Sequence, residues 1–270
     1  MSSTELSDNT ITAVSTTYVV VIPSYNSGPR LVETVLAARR YWNPVWVVVD
    51  GSTDGSETPV IEMSRADDGL HVIRFPKNRG KGSAVLAGLS EASRRGFTHV
   101  VTMDADGQHP ADRIPSFVAK SLHHPHAMIL GTPIFDASAP ALRVRGRRIS
   151  NGWANLETLW CGVGDSLFGM RTYPIKPLLS IMTRTRWMRR YDFDAEAAVR
   201  MVWAGTPPVN LPTPVRYFRA DEGGVSHFRY GRDNALLTWM HTRLFLEFLL
   251  RLPVLVARRL SPVKGDESPR

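Results

Sequence analysis

Between residues 18 and 131 the chain alternates short runs that are apolar at nearly every position with longer stretches that are apolar along one side. The runs are YVVVI (18–22), VWVVVD (45–50), HVIRF (71–75), THVVTMD (98–104) and AMILG (127–131). A strand that is apolar throughout, rather than at every second residue, has both faces buried. Two of the intervening stretches carry helical spacing: Leu31, Val35 and Ala38 within 29–41, and Val85, Leu89 and Ala92 within 81–95. This alternation predicts an α/β fold, with a mostly parallel, Rossmann-like central sheet and helices on both faces.

The second half has a different pattern. Residues 147–159, 174–182 and 191–203 read as helices, Pro207-Pro208 breaks into a strand-like VNLPTPVRYF (209–218), and a polar Gly-rich loop at 221–224 precedes an apolar helix. A charged tail is expected after Pro253. With no internal repeat and no Pro/Ser-rich linker, one continuous unit is expected. Its parts are a disordered tail over 1–16, an α/β domain over 17–220, a C-terminal loop and amphipathic helical extension over 221–260, and a charged tail over 261–270. A content of 43% hydrophobic and 21% charged residues argues against a disordered chain. The single cysteine, Cys161, excludes an internal disulfide and a thiolate zinc cluster and points to a reducing compartment. MSSTELSDNT at the start is no secretion signal, and the longest apolar stretch, 236–257, is interrupted by His241, Arg243, Glu247 and Arg251, so no spanning helix is expected. A cytoplasmic protein is the expectation. Its net charge of +8 draws it to polyanions: nucleic acid, acidic lipid or phosphorylated small molecules.

In open parallel sheets ligands bind beyond the carboxyl ends of the strands. Here those ends lead into PSYNSG (23–28), DGSTDGS (50–56), FPKNRGKGSA (75–84) and DADGQHP (104–110), four polar loops in succession. Asp104 and Asp106, two apart at a strand end, can address one point. Two carboxylates with an amide oxygen suit a hard divalent cation such as Mg²⁺ or Mn²⁺; the same aspartates would also serve as turn or cap residues ahead of Pro110. Asn78-Arg79-Gly80-Lys81-Gly82-Ser83 opens a helix, where backbone amides and two cations favour an anion, although an ordinary glycine-rich helix start reads the same way. Asp50 ends its strand where a carboxylate can accept hydrogen bonds from a base or ribose, or cap the turn at Ser52-Thr53.

Taken together, VVIPSYNSG, VVVDGSTDGS, NRGKGSAVLAGL and MDADGQHP resemble, in order and spacing, the catalytic domain of family 2 glycosyltransferases, nearest to dolichyl-phosphate mannosyltransferase and related polyprenyl-phosphate sugar transferases. The resemblance covers roughly 18–218 and implies a GT-A fold, a nucleotide-diphosphate sugar donor (UDP- or GDP-sugar) and a divalent metal. It implies that Pro23, Tyr25 and Asp50 hold the nucleotide, that Asp54 is the second aspartate of that loop, and that Lys81 lies near the donor. Asp104 and Asp106 become the metal and diphosphate pair, with Gln108 a third ligand. Arg147-Arg148 and the segment from Asp165 to Arg171 match further family motifs, Arg171 joining the diphosphate contacts. The helix opening at Tyr191 matches the acidic acceptor segment. Asp194 and Glu196 there diverge by about 200° on a helix, so only one can be the base: Asp194 if it still lies in the preceding loop, Glu196 otherwise. The same acids would also favour a helix N-terminus by charge alone. Arg219 is followed by Gly224-Val225-Ser226-His227, with His227 where the family carries lysine and Arg229 and Arg232 able to substitute.

The implied reaction is inverting transfer, with Lys81, Arg219 and Arg171 supporting the leaving group. A hydroxyl acceptor would need Asp194 or Glu196 as base; the phosphate of a polyprenyl-phosphate acceptor would not. Arg243, Glu247 and Arg251 form a narrow polar stripe on an otherwise apolar C-terminal helix. Such a helix fits an anionic membrane surface, peripheral on the inner face of the plasma membrane, and equally a place on the core or in a homodimer contact. Nucleic-acid binding is not expected, because no recognised motif accompanies the charge. A non-catalytic sugar-nucleotide-binding domain would have lost one of the paired acids, and none is missing. Neither a pyrophosphorylase loop nor a dehydrogenase glycine fingerprint is present.

Overall fold

Strands that bury both faces need two cores, and the chain builds two. In the computed structural model, which describes residues 14–135, 141–216, 218 and 230–260, β1 (Tyr18–Ser24) and β2 (Val45–Asp50) are buried at every residue. Val19, Val21, Trp46 and Val48 point into one core, while Val20, Ile22, Val47 and Val49 point into the other. The helical stretches cover these faces. α1 (Arg30–Tyr41), α2 (Thr58–Ala66) and α4 (Ile114–His123) lie over one core; α3 (Lys81–Arg94), α5 (Ala141–Glu157), α6 (Ile175–Arg184), α7 (Phe193–Trp203) and α8 (Tyr230–Leu260) lie over the other.

The remaining strands are β3 (Leu70–Phe75), β4 (His99–Thr102), β5 (Met128–Phe135), β6 (Arg171–Pro174) and β7 (Pro208–Val215), and the sheet order is β3-β2-β1-β4-β6-β5-β7. Strands β3, β2, β1 and β4 pair in parallel, β5 pairs in parallel with β7, and only β6 runs against its neighbours. The chain leaves β1 toward β2 and returns on the other side to β4. The crevice at their carboxyl ends is therefore the switch point where such sheets take ligands.

Several boundaries differ from expectation. β4 stops at Thr102, so Met103 and Asp104 have already left the strand; β7 ends at Val215; α5 starts at Ala141. Pro253 does not end the last helix, which continues to Leu260.

The final helix also faces the opposite way from a simple amphipathic reading. Its charged stripe turns inward. Fully buried Glu196 of α7 accepts from Arg200 at 2.6 Å and from Arg243 at 2.6 Å, and Arg200 reaches Glu247 at 2.7 Å. Met240, Leu244 and Phe248 pack into the core beside that network. The face left to solvent is apolar instead: Trp239, Leu246, Leu250 and Leu260 are 55%, 59%, 84% and 78% exposed. Among the described residues no helix is long and apolar enough to cross a membrane. Removing one member of a buried ion network strands the others without a countercharge. Glu196→Gln is therefore expected to lower unfolding free energy by about 3 kcal/mol in urea denaturation, and a change under about 0.5 kcal/mol, typical of an ordinary surface site, would show that the network does not hold α8.

Candidate active site

A cavity of about 1010 Å³ opens at the carboxyl ends of β1, β2 and β4 and extends between α5 and α8. Its inner half is polar and its outer half is largely apolar.

At the inner end lie Pro23 and Tyr25 beyond β1, Asp50 at the end of β2, Asn78, Gly80 and Arg190. Asp50 is buried and organises the loop opposite. Its Oδ1 accepts from the Arg79 amide at 2.7 Å, and its Oδ2 accepts from the Gly80 amide at 2.7 Å and from Asn78 Nδ2 at 3.0 Å. Burial pushes its pKa up against the pull of these donors. Glycine is required at position 80, because φ is +99° and a Cβ would stand 2.4 Å from the Arg189 carbonyl. Asp54 is different. It is exposed, outside the cavity lining, and spent on the backbone: Oδ2 takes the Gly28 amide at 3.0 Å and Oδ1 takes the Ser56 amide at 3.1 Å and hydroxyl at 2.7 Å. It ties the two loops together rather than facing a nucleotide.

The centre of the site is Lys81, in the first turn of α3. Its Nζ lies 2.6 Å from Asp104 Oδ1 and 2.6 Å from Asp194 Oδ2. Burial alone would lower the ammonium's pKa, but the two carboxylates outweigh it and hold it above the ordinary lysine range. Asp104 stays low despite burial because Lys81 is beside it. Asp106 is pushed up to about 6, by burial first and by the charge of Asp104 second. Burial depresses His109 to about 4, leaving it neutral, and its Nδ1 accepts the Asp104 amide at 3.0 Å.

This donor set fits a divalent cation. Asp104 Oδ2, Asp106 Oδ2 and the Gln108 side chain have no hydrogen-bond donor recorded, while Asp106 Oδ1 is engaged by the Gln108 amide at 3.0 Å, and all three residues line the cavity. Added positive charge there would relieve the repulsion that raises Asp106. Among the described residues no cluster of three or more His, Cys, Asp or Glu forms a complete ligand cage. Two carboxylates and an amide leave the other positions to water and phosphate oxygens.

The segment expected to supply both bases separates them. Asp194 lies in the first turn of α7, not in the loop before it, and is 5% exposed at the cavity wall. Burial raises its pKa, with Lys81 opposing. Its Oδ1 finds no hydrogen-bond partner among the described residues. Glu196 points away into the α7–α8 ion network and does not line the cavity; on this geometry it is a structural residue. Arg171 is fully buried and none of its reach is left for a diphosphate. It donates to the Phe168 carbonyl at 2.7 Å, to Tyr173 Oη at 3.0 Å, to the Asp165 carbonyl at 3.2 Å and to the Asp194 carbonyl. It positions Asp194 from behind. Arg147 lines the cavity and pairs with Asp165 at 2.7 Å, whereas Arg148 does not line it. Arg219, the 224–227 segment and Arg229 lie outside the described residues.

Sequence reasoning missed the outer half of the cavity. Ile149, Ser150 and Trp153 of α5 face Leu237, His241 and Phe245 of α8 across it. A polar clamp joins these helices: His241 Nδ1 lies 3.1 Å from both oxygens of fully buried Glu157, and Nε2 lies 3.0 Å from Ser150 Oγ. Ser166 spends its hydroxyl proton on Asn151 Oδ1 at 2.8 Å, so Ser150 must donate to Ser166 and receive from His241. The Glu157–His241 pair thus shares two protons and is neutral as a unit. Helical periodicity marks both helices but does not say which faces meet.

Gly169 packs against the metal-binding edge: a Cβ there would stand 2.3 Å from Asp104 Oδ2. Gly169→Ala is expected to push that carboxylate aside and weaken Mn²⁺ binding at least about tenfold by calorimetry, the order of effect seen when a residue supporting metal ligands is changed, with the far-ultraviolet circular dichroism unchanged. Unaltered Mn²⁺ affinity would mean that Asp104 Oδ2 is not a ligand.

Comparison with known proteins agrees with this layout. The profile described as Glycosyl transferase family 2 matches residues 19–195. A polyprenol monophosphomannose synthase of Mycolicibacterium smegmatis is 29% identical over 220 residues, 77% of this chain and 79% of that protein. An undecaprenyl-phosphate 4-deoxy-4-formamido-L-arabinose transferase of Salmonella paratyphi A is 36% identical over 109 residues, which is 38% of this chain and only 32% of the relative. Among solved structures, glucosyl-3-phosphoglycerate synthase of Mycobacterium tuberculosis, in complex with Mn²⁺, UDP and glucosyl-3-phosphoglycerate, superposes with a TM-score of 0.59 at 19% identity, covering 86% of this chain and 79% of that one. S. aureus TarS 1–349 in complex with UDP gives a TM-score of 0.55 at 16% identity over 85% of this chain and 65% of that one. These two likenesses establish the fold alone. With the family profile spanning most of the domain and the sheet matching its GT-A neighbours, the chain belongs to glycosyl transferase family 2 and is a glycosyltransferase similar to the polyprenyl-phosphate sugar transferases.

Proposed function

We propose that this glycosyltransferase moves a sugar from a nucleoside-diphosphate sugar to the phosphate of a polyprenyl phosphate, with inversion, while attached to an anionic membrane surface. One observation carries the reading: the cavity that holds Lys81, Asp104, Asp106 and Gln108 continues into an apolar trough between α5 and α8 whose lining includes the cations Arg145, Arg147 and Arg232. A polar inner half suits a nucleotide, and an apolar outer half flanked by cations suits an amphipathic anion.

In this reading Pro23, Tyr25, Asp50 and Arg190 receive the nucleoside, and Lys81 supports the diphosphate. A divalent cation held by Asp104, Asp106 and Gln108 would supply Lewis-acid stabilisation of the leaving diphosphate. Arg145, Arg147 and Arg232 orient the acceptor phosphate, whose oxygen attacks the anomeric carbon from the face opposite the leaving group. That oxygen is already anionic, so no proton need be removed. The exposed apolar face of α8, with exposed Arg251, Arg258 and Arg259 beside it, supports peripheral attachment by burial in the headgroup region together with attraction to acidic lipid. A cytoplasmic leaflet would supply both the nucleotide sugar and the negative surface.

The test is transfer from UDP-, GDP- and dTDP-sugars to undecaprenyl phosphate in anionic vesicles with Mg²⁺ or Mn²⁺. One donor is expected to yield a lipid-linked sugar, the protein is expected to sediment with the vesicles at low salt, and Asp106→Asn is expected to lower kcat about 10²-fold or more, as loss of a transition-state charge contact does. Full activity of that variant, or full activity in excess chelator, would remove the cation from the mechanism; a chain that stays in the supernatant would remove the membrane.

A further inference from the structure

Asp194 presents a carboxylate oxygen that the fold leaves unused. The residue is 5% exposed, lines the cavity, and its Oδ1 meets no hydrogen-bond donor among the described residues. A buried acceptor left unmade is costly, yet the surroundings hold this one rigidly. Lys81 fixes Oδ2 at 2.6 Å, and Arg171 grips the main-chain carbonyl from behind. The same Lys81 nitrogen touches Asp104 Oδ1 at 2.6 Å, so the free Oδ1 lies one lysine away from the carboxylate pair that faces the diphosphate. What extends from a nucleoside diphosphate at that point is the sugar to be transferred.

We propose that Asp194 Oδ1 accepts a hydrogen bond from a ring hydroxyl of the donor sugar and thereby determines which sugar the protein takes. The assignment rests on the transfer reading above, and it departs from the base role expected for this residue. With a phosphate acceptor there is no proton to abstract, while a neutral sugar offers several hydroxyl donors to a fixed anionic acceptor. A site built around such an acceptor rejects an analogue lacking the matching hydroxyl, because the carboxylate oxygen is then buried without a donor.

Calorimetry on the full chain with Mn²⁺ tests this without any acceptor. The probes are UDP and GDP, their glucose and mannose conjugates, and the 2-, 3-, 4- and 6-deoxy analogues of whichever conjugate binds best. The native protein should bind that conjugate more tightly than its nucleoside diphosphate and lose about tenfold or more in affinity for one deoxy analogue. Asp194→Ala should keep the affinity for the nucleoside diphosphate, lose the sugar increment, and no longer distinguish that analogue. If the alanine variant melts well below the native chain, isosteric Asp194→Asn carries the comparison, with the same loss of discrimination expected. Equal penalties for every deoxy analogue in native and variant proteins would overturn the assignment. So would native-like sugar binding by the variant together with abolished transfer, the pattern of a base. Failure of the native chain to bind any of these sugar nucleotides would instead overturn the transferase reading beneath it.

Discussion

One ammonium holds this site together. Lys81 joins the start of α3, the turn after β4 and the first turn of α7 through two carboxylate contacts of 2.6 Å. Two acids brought this close in a cavity would repel, and the cation between them makes the arrangement affordable while leaving one oxygen of each free. The shape of the site follows. Asp104 Oδ2 turns toward Asp106 and Gln108, and Asp194 Oδ1 turns toward the space beyond. Behind them Arg171 closes the ring by holding the Asp194 and Asp165 carbonyls, and Asp165 in turn holds Arg147 at 2.7 Å. The network runs from the donor half of the cavity to the cations of the outer half.

The parallel half of the sheet was readable because its strands have no solvent-facing side. Burial on both faces erases the alternation of an ordinary strand and leaves β1 and β2 apolar throughout. Strand ends in a parallel sheet converge on one rim, so Asp50, Lys81 and Asp104 could be expected together before any coordinates. β6 was not readable: it has four residues and pairs against the direction of its neighbours through contacts distant in sequence.

Side-chain duties were less readable than positions. Asp54 and Arg171 fall within family motifs, yet one ties loops and the other is wholly enclosed. A motif records that a charge is needed, not whether it meets ligand or backbone. The same ambiguity hid α8. Periodicity located a stripe of Arg243, Glu247 and Arg251, but a charged stripe faces water only if no partner waits inside, and here Glu196 and Arg200 do. The inversion of that helix frees an apolar face at the surface and sets Phe245 and His241 along the trough. A stability feature and a binding feature thus come from one helix orientation.

The account stands on a divalent cation gripped by the acids that follow β4. Anomalous diffraction from a crystal soaked with Mn²⁺ and a nucleoside diphosphate reads this directly. A single strong peak is expected about 2.0–2.2 Å from carboxylate oxygens of Asp104 and Asp106, the range for such ions on oxygen ligands, with phosphate oxygens completing its shell. A nucleotide bound with no peak at that pair, or with its peak elsewhere, would contradict the account.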